Sequence, residues 1–170
     1  MYKNNIKEHD MRKILGVDPG LSGGLSVIDE RFNLIACIQM PTVCVVGKKR
    51  RADPRPVFEF IELHKPELAI LELVGARPGQ GVVSMFNFGD AFGVVRAVAE
   101  CLCPNVRYSR PQEWRGHQSL TGLSKEQNAE VAYEVFRAEQ IYGKPRAGKR
   151  AVRDGISDSL MIAKYGVRFL

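Results

Sequence analysis

Short runs of apolar residues bounded by turn-forming residues dominate the first forty positions. Ile14 to Val17 ends at Asp18-Pro19-Gly20, Gly23 to Ile28 resumes an extended pattern after a glycine-rich turn, and Leu34 to Met40 gives a third run. Together they predict a three-stranded antiparallel meander. The period then changes: Val57, Phe58, Ile61 and Leu63 or His64 recur at roughly helical spacing, and Pro66 closes that helix. Leu68 to Val74 is apolar almost throughout, as expected of a central, largely parallel strand covered on both faces. Beyond the loop Gly75 to Gly81, a long helical pattern runs to about Cys101, followed by a short strand around Val106 to Tyr108. Ser124-Lys125-Glu126-Gln127 has the spacing of a capping box and predicts a helix to about Arg137; a last helix is expected from Val152 to Tyr165. The order βββαβαβαα indicates an α/β domain with a mixed five-stranded sheet, three strands antiparallel and then parallel ones, flanked by helices. It fills residues 12–170, with residues 1–11 read as an N-terminal tail.

A chain of 170 residues with 45% apolar content supports one core and is too short for two substantial domains. Its formal charge of +6 suits a polyanionic partner without identifying one. The start of the chain lacks the apolar run of a secretory signal, and no stretch approaches the ~18 apolar residues of a membrane span. The expectation is a soluble, intracellular, cytoplasmic protein without a membrane partner. Cys37, Cys44, Cys101 and Cys103 form no pair with zinc spacing, and His9, His64 and His117 are scattered, so reduced core cysteines are expected.

Carboxylates stand where apolar residues would be expected. Glu72 interrupts the run Leu68 to Val74, and a buried glutamate is rare unless it is paired or bound to a cation. A bland alternative places it at an exposed strand end. Asp18 ends the first strand, where Asp-Pro-Gly also serves as plain turn chemistry. Asp154 and Asp158 are four residues apart, so a helix puts both on one face, a pairing that is mildly repulsive without a cation nearby. Asp154 has a second reading as a first-turn acid favoured by the helix dipole. Four acids at the ends of separate elements, without a His or Cys cluster, describe a hard oxygen site for Mg²⁺ or Mn²⁺. Such sites support phosphoryl transfer, with two ions about 4 Å apart.

Ile14-Leu15-Gly16-Val17-Asp18-Pro19-Gly20 with Ser22-Gly23-Gly24 resembles the opening of RuvC-type Holliday junction resolvases. Ala69-Ile70-Leu71-Glu72 resembles that family's second acidic strand, Phe88-Gly89 through Gly93 and Ala97 its following helix, and Asp154-Gly155-Ile156-Ser157-Asp158 through Ala163 its acidic last helix. The match spans about residues 12 to 167, and Asp-Gly-x-x-Asp with Gln80-Gly81 is most similar to the phage and plant-organelle branch. The resemblance implies an RNase H-like fold, a homodimer, and paired nicks across a four-way DNA junction with no small-molecule cofactor. It makes Asp18, Glu72, Asp154 and Asp158 the metal-binding, catalytic acids, with two Mg²⁺ ions per site, for which Mn²⁺ substitutes, and Lys125 a basic residue assisting at the scissile phosphate. The alternative for Lys125 is an ordinary first-turn lysine of a capped helix.

Two basic stretches are candidate DNA contacts: Lys48, Lys49, Arg50 and Arg51 in an expected loop, and Lys144, Arg146, Lys149, Arg150 and Arg153 just before the acidic helix. Arg77 and Gln80 would face the junction centre. Phe86, Phe88, Phe92 and Trp114 suit base stacking, though core or dimer packing fits their spacing better. Three rivals stand beside this reading. The glycine-rich hairpin also resembles that of sugar kinases and actin-like ATPases, whose two domains need a longer chain. The other two are an RNase H-like nuclease for flaps, forks or RNA:DNA hybrids, and a catalytically silent RNase H-like nucleic-acid binder.

Overall fold

The computed structural model describes residues 11–170 except 48, 74, 76–78, 147 and 148, and the side chains of 145, 146 and 149 are also left aside. The expected tail at 1–10, Lys48 and Arg77 therefore lie outside the described residues. Five strands form the main sheet: β1 (Lys13–Asp18), β2 (Gly24–Asp29), β3 (Leu34–Gln39), β6 (Leu68–Glu72) and β7 (Asn105–Ser109). Their order is β3-β2-β1-β6-β7. β1, β2 and β3 pair antiparallel, whereas β1 with β6 and β6 with β7 pair parallel, as the apolar patterning anticipates.

Both faces of this sheet are covered, and alternate residues of each strand serve different cores. Ile14, Ile28, Leu68 and Ile70 face one cluster with α4 (Lys125–Phe136) and α5 (Asp154–Gly166). Leu15, Val17, Leu25, Ala69 and Leu71 face the other, with α1 (Pro54–His64) and α2 (Val82–Leu102). The caps follow the local sequence. Asp53 accepts from the Arg55 N–H at the start of α1, and Lys65 closes it in a left-handed conformation before Pro66. Ser124 and Gln127 form the expected reciprocal box at the start of α4.

Helix α5 lies against the sheet with almost no clearance. A Cβ on Gly16 would stand 2.1 Å from the Ser159 carbonyl, and one on Gly155 would stand 2.3 Å from Gly23. Glycine at these positions lets backbone meet backbone, and the buried hydroxyls of Ser26 and Ser159 bond at 2.6 Å across the same seam.

Four features differ from the sequence expectation. Arg50 and Arg51 sit on a strand, since β4 (Thr42–Cys44) and β5 (Arg50–Ala52) form a hairpin too short to show a period. Lys144 and Arg150 also lie on paired strands, β8 (Tyr142–Arg146) with β9 (Lys149–Val152), whose cations hide any apolar alternation. Val152 therefore belongs to a strand, and α5 begins at Asp154. A two-turn helix, α3 (Pro111–His117), precedes α4 and escapes periodicity analysis by its shortness. Finally, α2 is long and apolar enough by length and mean hydropathy to cross a bilayer, contrary to the expectation from the sequence, because its apolar residues outweigh the few charges among them. One of its faces, Ala91, Val95 and Ala99, is nevertheless packed in the domain core.

Candidate active site

Asp18 and Glu72 end neighbouring parallel strands. The register pairs Val17 with Leu71, so the next residue of each strand is an acid at the same sheet edge. The third and fourth acids arrive on α5, whose first residue is Asp154 and whose second turn carries Asp158. The contact of Gly155 with Ser22 and Gly23 brings that end of the helix against the turn following Asp18. The four acids are close enough that Asp18 feels the negative charge of all three others.

That proximity has an electrostatic consequence. Burial, then the charges of Asp158 and Glu72, with a smaller push from Asp154, raise the Asp18 carboxyl from 3.8 to about 7, although the Gly20 N–H donates to it at 3.4 Å. Asp158 is also raised, by burial first and by Asp154, against the pull of Arg115. Three carboxylates have donors of their own. The Trp114 indole N–H donates to Glu72 Oε2 at 2.8 Å. Arg115 Nη2 bonds Asp158 Oδ2 at 2.9 Å, and Asn128 Nδ2 bonds its other oxygen at 2.6 Å. Lys125, exposed at the start of α4, pairs through Nζ with Asp154, which holds the lysine above its ordinary range.

Among the described residues, no three His, Cys, Asp or Glu side chains stand close enough to grip one ion as placed. The donor set nonetheless fits a hard divalent cation. It is all oxygen, burial together with the neighbouring acids raises Asp18 to about 7, and the buried Asn128 Oδ1 beside Asp158 accepts no hydrogen bond.

The candidate DNA contacts fall into two groups around this edge. Arg50 and Gln80 line a cleft of about 560 Å³ with Gly20, Asn87 and Phe88, directly beyond the turn that carries Asp18. Lys49 and Arg51 are exposed on the same hairpin. On the other side, Arg153 caps α5 immediately before Asp154 and donates to the Gln140 carbonyl at 3.3 Å. Lys144 and Arg150 are exposed on the β8–β9 hairpin, with Arg150 paired to Glu139 at 3.0 Å. The backbones of Arg146 and Lys149 pair in that hairpin.

Several residues take places the sequence reading left open or missed. Trp114 is fully buried and so is no base-stacking platform. Arg115 and Asn128 escaped notice altogether, and the only signal in the sequence was the Trp-Arg pair next to a proline-started helix. Cys37 and Cys103 are buried, and burial raises both thiols to about 11, but Cys44 and Cys101 are exposed, against the expectation of four core cysteines. On α2, Val95 lies fully in the core and Phe92 packs near Tyr108, whereas Phe86 is exposed.

No family model and no curated protein matches the chain. Among solved structures, Thermus thermophilus RuvC in complex with a Holliday junction substrate is similar at a TM-score of 0.59 and 17% identity, covering 93% of this chain and 96% of that one. Thermus thermophilus RuvC in a further structure gives 0.54 at 17% identity, over 92% and 96%. The yeast mitochondrial Holliday junction resolvase gives 0.50 at 14% identity, over 93% and 78%. The likeness establishes the fold: a RuvC-type, RNase H-like mixed sheet with flanking helices.

Proposed function

We propose that this chain is a metal-dependent, structure-selective DNA endonuclease that resolves four-way junctions by paired, symmetric nicks. The observation that carries the reading is the convergence of Asp18, Glu72, Asp154 and Asp158, from two parallel strand ends and one helix, on a single edge of an RNase H-like sheet. The similarity to a RuvC structure holding a Holliday junction supports the choice of substrate.

Asp18, Glu72, Asp154 and Asp158 would hold Mg²⁺ or Mn²⁺, two ions per site. When bound, such ions activate water and stabilise charge on the leaving oxygen of an in-line displacement. The protein's own part is placement and charge. Lys125, freed from Asp154, has the length and charge to reach a phosphate oxygen at the scissile position. Arg50 and Gln80 on one side, and Lys144, Arg150 and Arg153 on the other, would track the backbone to either side of the cut, joined by Lys48, Lys49, Arg51, Arg77, Arg146 and Lys149. Two nicks related by symmetry call for a homodimer. The open face of α2, with Val82 83% and Phe86 75% exposed, is the surface suited to an isologous contact.

A cleavage assay on sequence-matched four-way junction, fork, flap, linear duplex and RNA:DNA hybrid tests the reading. Preferential paired nicking of the junction is expected. Equal or better cutting of flaps, forks or hybrids would assign the same site to a different nuclease, and binding without cutting in Mg²⁺ or Mn²⁺ would leave a nucleic-acid binder.

A further inference from the structure

Two consecutive residues of α3 hold two of the four acids, and the acids belong to different elements. Trp114 donates its indole N–H to Glu72 on β6, and Arg115 donates to Asp158 on α5. The Arg115 guanidinium also lies 4.7 Å from the centre of the Trp114 ring, so the two side chains form one stacked unit. We propose that Trp114 and Arg115 are positioning residues that fix Glu72 and Asp158 relative to each other, so that α3 acts as a strut between strand and helix.

The strut is anchored at each end. Glu113 accepts from the Arg110 N–H at 2.9 Å and the Ser109 hydroxyl at 3.2 Å, tying the start of α3 to the end of β7. Ser109 is in register with Glu72, and its carbonyl accepts from the Leu73 N–H at 2.8 Å. At the other end, Gln118 Nε2 donates to the Trp114 carbonyl at 3.2 Å and the Met161 carbonyl at 2.8 Å, which ties α3 to α5. The indole ring is wedged into the core with Leu120, Ala129 and Leu160.

The chemistry explains why these residue types are used. An indole nitrogen is a donor only, and a buried one requires an acceptor. Satisfied by a carboxylate, the bond is charge-assisted, and it engages one oxygen of Glu72 in a fixed direction. A guanidinium is planar and always charged, so it orients Asp158 and offsets the repulsion from Asp154 and Asp18. Neighbouring residues on a helix diverge by about 100°. A single rigid turn can therefore reach two acids that approach from different sides.

The geometric claim stands apart from activity, whereas its effect on cutting rests on the function proposed above. Trp114 is the single tryptophan of the chain, so ¹⁵N labelling gives one indole N–H resonance in the full-length protein. Glu72→Gln is expected to shift that resonance, while Glu100→Gln, a control remote from the indole, leaves it in place. An indole signal indifferent to Glu72→Gln would overturn the strut, whether or not the protein cuts DNA. In the junction assay, Trp114→Phe keeps a smaller aromatic ring and deletes the donor; kcat is expected to fall at least tenfold with junction affinity in Ca²⁺ unchanged. Arg115→Met is expected to lose a similar factor and Arg115→Lys to recover part of it. If Trp114→Phe does not fold, the Arg115 pair decides, and equal kcat for Met and Lys overturns the proposal. Should the wild-type protein cut no branched DNA, the proposed function fails and the indole response alone judges the strut.

Discussion

Neutralising Asp18 separates what the acid cluster costs the fold from what it does for chemistry. In Asp18→Asn the side chain keeps its size and the oxygen that accepts from the Gly20 N–H, but loses its charge. The Asp18 carboxyl sits at about 7 in the folded protein against 3.8 as its reference, a rise of roughly three units. At about 1.36 kcal/mol per unit, that caps the cost of ionising it in the fold at about 4 kcal/mol. Relaxation around a group at the site's open edge reduces this to an expected ~1–2 kcal/mol. Because the folded pKa is raised, the favourable contribution of the protonated group is fully present below pH 3.8 and is lost as pH climbs through about 7. Wild type and Asp18→Asn should therefore be equally stable near pH 4, diverge between pH 4 and 7, and differ by a constant amount above, with the variant the more stable. For a chain of this length the gain corresponds to roughly 2–8 °C in Tm. Urea unfolding in EDTA at several pH values measures it. A difference that does not vary with pH, or a variant less stable than wild type at pH 8, would refute the electrostatic reasoning. The same variant is expected to lose junction cleavage by orders of magnitude, since the charge that destabilises the metal-free fold is the one proposed to hold the ion.

Mg²⁺ and Mn²⁺ should support cleavage, Ca²⁺ should support junction binding with little turnover, and EDTA should abolish cutting; gel assays with each ion check this, and activity in EDTA would remove the metal from the scheme. Val83→Asp with Phe86→Glu on the open face of α2 should convert a dimer to a monomer in sedimentation while leaving thermal stability within about 0.5 kcal/mol, because both residues are exposed; a monomeric wild type at micromolar concentration, with and without junction, would contradict the assembly. Replacing Lys144, Arg146, Lys149 and Arg150 together should weaken junction binding and flatten the slope of log K against log salt by about 0.9 per lost phosphate contact, and an unchanged slope would return the β8–β9 hairpin to plain surface.

The strands and long helices were legible because burial imposes a period on them. β1, β6 and α5 are each built of residues whose neighbours on either side face a core, so their apolar patterning is strong, and the acids stand out against it. The short elements were not legible for the same reason. α3 buries one residue, Trp114, and a single buried position has no period. The roles of Trp114, Arg115 and Asn128 depend on contacts spanning 30 to 43 residues, which no local pattern encodes. On β8 and β9, four cations with a glycine and a proline among them read as loop, although backbone pairing holds the two strands in a hairpin.

The buried hydrogen bond between Ser26 and Ser159 closes a segment of 133 residues, and it lies in the seam that presents the acids of α5 to Asp18. A contact of that separation is slow to form, since nearly all the intervening chain must be gathered first. The site is therefore absent from any intermediate in which the sheet has paired but α5 has not docked. Asp18 and Glu72 already repel each other once β1 and β6 pair, and docking of α5 adds the charges of Asp158 and Asp154. A chain still emerging during synthesis would hold Asp18 and Glu72 side by side for some time without Asp154 or Asp158. In terms of timing, the cluster of four acids is assembled only once α5 has docked, and the proposed cleavage would wait on that step.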